Sequence, residues 1–113
     1  MDEPQDFFAL LLNKCRQTEL ENIRGKLLAI SSYAGQYVPQ MAVTAEQDEF
    51  LYHAGGIRQQ ACTLFEECGK VSEVDGEFLN RIKGQFNDLK DFFEYWLTLR
   101  SSPDEVERVH AAL

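Results

Sequence analysis

Acid–base, metal or nucleophilic chemistry in this chain would have to come from two histidines, three cysteines and a surplus of carboxylates. Glu46, Glu49 and His53 form the tightest polar grouping. On a helical wheel they fall within about 60° of one another, on the flank of an apolar stripe. Carboxylates with an imidazole suit iron, manganese or zinc. Glu107-Arg108-Val109-His110 adds the Glu-x-x-His spacing of carboxylate-bridged dimetal bundles. Such bundles draw on two of these motifs and two further glutamates, spread over four long helices. Here there is one motif, on a short terminal segment, and His53 lacks the spacing to supply the other. A metal site at Glu46, Glu49 and His53 is therefore the alternative reading. The plainer expectation is an i,i+4 pair of Glu49 and His53 on a helix surface. No cofactor is expected.

As a phosphate acceptor His53 is poorly placed. Gly56 and Ile57 stand where histidine phosphotransfer domains carry a basic residue and a glycine. Cys15 and Cys68 fall on apolar stripes and are expected to be inert core residues. Cys62 lies roughly 110° from the centre of its stripe and is expected to be accessible. Arg58 one turn earlier favours a Cys62 thiolate, and Glu66 one turn later opposes it. The chain has no Walker-type phosphate loop, no Gly-x-Gly-x-x-Gly and no Gly-x-Ser-x-Gly elbow. With no converging nucleophile, acid and base, an enzyme is not expected.

The segments that carry these residues all read as helices. Phe50, Ala54, Ile57, Ala61, Leu64, Phe65 and Cys68 recur at steps of three and four, and so do Phe78, Leu79, Ile82, Phe86, Leu89, Phe93, Trp96 and Leu97. Each set lies on one helix face. Only Gly69 to Ser72 separate them, which predicts an antiparallel hairpin. Upstream, Phe8, Leu11, Leu12 and Cys15 form one stripe and Leu20, Ile23, Leu27, Ile30 and Ala34 another, about 90° apart. Thr18 to Glu21 reads as a capping box, so a kink or break is expected near residues 16–18; the alternative is one long helix turning two faces to two neighbours. Gly35 and Pro39 stop this segment, and a second capping box at Thr44 to Gln47 opens the next, which should end at Cys68 with Gly69 as a left-handed cap. Ser72 to Asp75 starts the third helix. Ser102, Pro103 and Glu105 start a short last one. No strand pattern appears. The expected fold is all-α: one domain, 1–113, an antiparallel bundle of three main helices plus a short C-terminal helix.

Around Trp96 the third helix is apolar almost all round. Phe92, Tyr95 and Leu99 point roughly 90° to 150° away from its stripe. With Trp96 they form the candidate interaction surface, unless the last helix covers them through Val106 and Val109. Changing Trp96 and Tyr95 together to Ala is expected to weaken association while leaving helicity mostly intact. Gly25, Gly55 and Gly84 also fall off their stripes, where they either loosen the helix or admit another backbone. Tyr33, Tyr37, Met41 and Val43 should pack on the bundle.

The net charge of −8 gives no basic footprint for direct nucleic-acid binding. The acids are dispersed, as on a solvated surface; an acidic mimic of nucleic acid that binds a basic protein is a further alternative. The acidic start does not resemble a secretory signal, and the run Phe7 to Leu12 is far short of a membrane span. An odd cysteine count with no paired spacing points to reduced thiols and a cytoplasmic location. The reading is a non-enzymatic protein–protein interaction module, either a homodimer or one half of a hetero-complex.

Overall fold

A computed structural model describes residues 4–38, 49–71 and 73–113, with side chains from Phe7 onward. It contains four helices: α1 (Pro4–Gly35), α2 (Glu49–Gly69), α3 (Gly76–Thr98) and α4 (Pro103–Ala112). There is no strand among the described residues. Glu46, Met41, Val43, the Thr44–Gln47 box, Pro39 and Ser72 lie outside them.

Three local expectations need correction. The break near residues 16–18 is absent, and α1 is one helix of 32 residues. Thr18 is not an N-cap: its Oγ1 donates to the Lys14 carbonyl at 3.0 Å, the bond a threonine makes inside a helix. Glu21 pairs with Arg24 at 3.1 Å instead of reaching back. Gly69 is not a left-handed cap, because no described glycine has positive φ. Its role is space: a Cβ there would meet the Arg24 guanidinium at 3.3 Å. The start of α3 falls at Gly76, after the Ser72–Asp75 segment. Asp75 is the N-cap, and its carboxylate accepts from the Phe78 N–H at 2.7 Å. The start of α4 is as read, with Ser102 Oγ accepting from the Glu105 N–H at 3.3 Å.

The core is built from the stripes. Leu20, Ile23, Leu27, Ile30 and Ala34 of α1 meet Phe50, Leu51, Ala54, Ile57, Ala61, Leu64 and Cys68 of α2. Leu79, Ile82, Phe86, Leu89, Phe93, Trp96 and Leu97 of α3 close the third side. Contacts that climb α1 descend α2, from Tyr37 on Phe50 to Ser31 on Cys62. They climb α3 together with α1, from Glu19–Lys83 to Tyr33–Trp96. No polar or charged residue is buried among the described residues. The free energy of burial is therefore almost wholly apolar.

One part of α1 lies outside this core. Asn13 Oδ1 accepts from the Val74 N–H at 3.0 Å, so the α2–α3 turn meets α1 at Asn13. Residues 4–12 continue past it, about 13 Å of helix at ~1.5 Å per residue. Among the described residues the first buried one is Leu20. Phe7, Phe8, Leu10, Leu11 and Leu12 are 50 to 71% exposed. The stripe through Phe8, Leu11, Leu12 and Cys15 thus has no covering neighbour among the described residues.

Candidate functional site

The C-terminal end of α3 divides into an inner and an outer face. Trp96 is on the inner face, 0% exposed. Its ring stacks on Phe50 with centroids 4.2 Å apart and planes 7° apart. Tyr33 and Tyr37 meet it edge-on, and Phe93 flanks it. Its indole Nε1 donates to the Phe50 carbonyl at 2.6 Å, which satisfies the one polar atom that burial would otherwise penalise. Trp96 is therefore a core residue, not part of a surface. Leu99 is partly buried against the same core. Of the expected interaction residues, only Phe92 and Tyr95 remain outside.

The short helix α4 does not cover them. It lies against α3 with Val106 and Val109 half-buried on the core. His110 Nδ1 bonds Glu94 Oε1, and Tyr33 Oη donates to Glu105 Oε1 at 3.3 Å. Burial, then the neighbouring Tyr37 and Glu105, raise the Tyr33 pKa above the ordinary phenol value. The apolar collar seen in the sequence is thus used on two sides, by α2 around Trp96 and by α4 at Val106.

On the outer face Phe92 and Tyr95 join α2. Their rings stack at 6.1 Å, and His53 stands edge-on to Phe92 at 5.1 Å. Tyr52 continues the row, edge-on to His53 at 5.1 Å. Glu49 ties the group together. It accepts from Tyr95 Oη at 3.1 Å and lies 3.7 Å from His53 Nε2. The hydrogen bond and charge of Glu49 raise the Tyr95 pKa. This i,i+4 pair is the one expected for a plain helix surface. The row borders an open groove of about 900 Å³ with Arg58, Gln59 and Cys62 in its wall. The i,i+4 spacing of Glu49 and His53 was legible in the sequence; Tyr52 beside His53, and the placement of Phe92 and Tyr95 by α3, were missed there.

No group of three or more His, Cys, Asp or Glu converges among the described residues. His110 is occupied with Glu94 and does not face a second Glu-x-x-His motif. Glu19 pairs with Lys83 at 2.9 Å and Glu67 with Arg81 at 3.2 Å, each between two helices. The thiols also differ from their expected order. Cys68 is buried, and burial raises its pKa; Cys62 is half-buried and bonded to Ser31 Oγ at 3.1 Å; Cys15, expected in the core, is exposed. No helix of the described residues is long and apolar enough to cross a membrane.

No protein-family model matches the chain, and no curated protein or solved structure does.

Proposed function

We propose that this chain is a non-enzymatic protein-interaction module and that Tyr52, His53, Phe92 and Tyr95 form the face it presents to a partner protein. One observation carries this reading. Three large aromatic rings, 62, 36 and 49% exposed for Tyr52, Phe92 and Tyr95, stand side by side on two rigid helices, and α4 leaves them open. Aromatic side chains are the commonest anchors of protein interfaces, because each buries much apolar area at little entropic cost. The Glu49 carboxylate holds Tyr95 in place before any partner arrives. The partner is a protein with an apolar pocket and a donor able to reach Glu49.

The test replaces Phe92 and Tyr95 together with Ser and uses wild-type and variant chains as bait in native lysate. The expected result is at least one stoichiometric partner retained by the wild type and lost by the variant, with equal helicity and urea midpoint. Retention of the same proteins by both baits refutes the reading.

A further inference from the structure

The seam between α2 and α3 is closed at both ends and open in the middle. Near Trp96, Glu49 accepts from Tyr95 Oη and His53 meets Phe92. At the other end Arg81 donates to Glu67 at 3.2 Å and to Gln85 at 3.4 Å. Between these contacts lies a groove of about 580 Å³. Its floor is made by Leu64 and Leu89, both buried, and by Gly56, where an added Cβ would meet nothing within 4 Å. Its walls are polar and exposed: Gln60 and Thr63 from α2, Gln85 and Asp88 from α3. No Lys, Arg or His lines it. Of its two carboxylates, Glu67 is paired with Arg81, whereas Asp88 has no hydrogen bond or ion pair among the described residues. Gly56 and Gln60 also line the groove beside Tyr52, His53 and Phe92, so the two grooves form one channel.

We propose that the middle of this seam takes an arginine side chain of the partner protein seated on the aromatic face. The proposal rests on that face serving a partner and adds what the partner brings. Three properties of the groove select arginine. The first is charge. A cation supplies the pairing that Asp88 lacks, and a chain of net charge −8 draws basic segments toward it and repels a second copy of itself. The second is the floor. The methylenes of arginine can lie on Leu64 and Leu89 while the charged head stays at the wet rim. The third is the set of acceptors. A guanidinium has five N–H donors in a planar fork, and the Asp88 carboxylate, the Gln60 amide oxygen and the Thr63 hydroxyl can all accept. A divalent metal fits less well, because it needs several carboxylate oxygens and no such group converges among the described residues. Asp88 precedes Phe92 by one turn of α3, so the arginine enters about 6 Å from the partner residue that packs on Phe92.

Titration of the full, isotope-labelled chain with N-acetyl-arginine methylamide, followed by NMR, tests the groove directly. Saturable shifts are expected at Gly56, Gln60, Thr63 and Gln85. The citrulline analogue keeps the shape of the probe and loses its charge, and is expected to bind about threefold more weakly or worse. Asp88→Asn is expected to weaken the arginine probe by a similar factor, while Glu107→Gln, the same change of charge on α4, leaves it as in wild type. Both residues are exposed, so neither change should alter the urea midpoint. Equal effects of the two variants, equal binding of citrulline, or shifts spread over the whole acidic surface overturn the proposal. Spermidine that binds the same resonances more tightly than the arginine probe overturns the assignment to a protein side chain. Capture from native lysate separates this proposal from the reading it rests on. A partner that binds Asp88→Lys at least about tenfold more weakly, and is lost with Phe92→Ser and Tyr95→Ser, supports both. A partner kept by Asp88→Lys and lost from the double variant overturns the arginine and leaves the aromatic face standing. The same proteins kept by all baits overturn both.

Discussion

Trp96 and Tyr95 are adjacent in sequence, and their substitution should have opposite outcomes. Trp96 is fully buried, stacked on Phe50 and bonded through Nε1 to the Phe50 carbonyl. Trp→Ala in a core costs about 3–5 kcal/mol through lost burial and the cavity left behind. Loss of the indole hydrogen bond adds about 1 kcal/mol. The sum is comparable to the whole stability of a small domain, about 5–15 kcal/mol. Trp96→Ala is therefore expected to unfold most of the population or to lower the melting temperature by roughly 20 °C, at about 4 °C per kcal/mol for this chain length. Trp96→Phe keeps the stack but loses the bond and part of the ring, so it should fall between Ala and wild type. Tyr95→Ala removes an exposed ring and an exposed bond to Glu49, and its melt should lie close to wild type. Far-UV circular dichroism in urea measures all three, because Trp96 is the only tryptophan and fluorescence disappears with it. A Trp96→Ala protein with wild-type helicity and midpoint would refute the placement of Trp96 in the core. It would also restore the sequence-based expectation that the pair can be removed without harm.

Other expectations follow from the same contacts. Gly25, Gly56 and Gly84 sit inside helices with nothing within 4 Å of an added Cβ. Each change to Ala should stabilise by about 0.5–1 kcal/mol, and the three should add, because they stand on different helices; a loss of stability in urea melts would mean that these positions are occupied. Thiol reactivity should run Cys15, then Cys62, then Cys68 in timed alkylation read by mass spectrometry, since burial both shields Cys68 and disfavours its thiolate; early modification of Cys68 would contradict the core. The raised Tyr33 pKa means that the folded state holds the phenol proton more tightly than the unfolded state. Its contribution is complete below the unfolded pKa of about 10 and is lost as pH rises through the folded value. Urea midpoints should therefore fall above pH 10, and Tyr33→Phe should flatten that fall; an identical alkaline loss in the variant would rule Tyr33 out as its source.

The interior was legible because helical periodicity is a direct record of which face meets a neighbour. Every α3 stripe residue from Leu79 to Leu97 is buried, and so is every α1 residue from Leu20 to Ala34 on its stripe. Periodicity does not record whether the neighbour belongs to the same chain. Phe8, Leu11, Leu12 and Cys15 are as regular as Leu20 to Ala34, yet α1 runs past the α2–α3 turn and leaves them bare. Local capping signals were similarly ambiguous. Thr18 and Glu21 have the side chains of a capping box, but the apolar rows on both sides keep the helix going, and the hydroxyl bonds back to Lys14. The outer site was half legible: Glu49 and His53 of α2 share a face by spacing, while Phe92 and Tyr95 needed the register of α3 on α2, which the Phe50–Trp96 stack sets. Asp75 as the true N-cap of α3 was masked by Ser72, an equally good capping residue three positions earlier.

The central claim is that the exposed aromatic face of this chain is there to bind a partner protein. Quantitative capture from native lysate on three baits tests it most directly: wild type, the Phe92→Ser and Tyr95→Ser double variant, and Leu11→Glu. The account expects a partner kept by wild type and by Leu11→Glu and lost from the double variant. The same retained proteins on all three baits, or a partner lost only with Leu11→Glu, would contradict it.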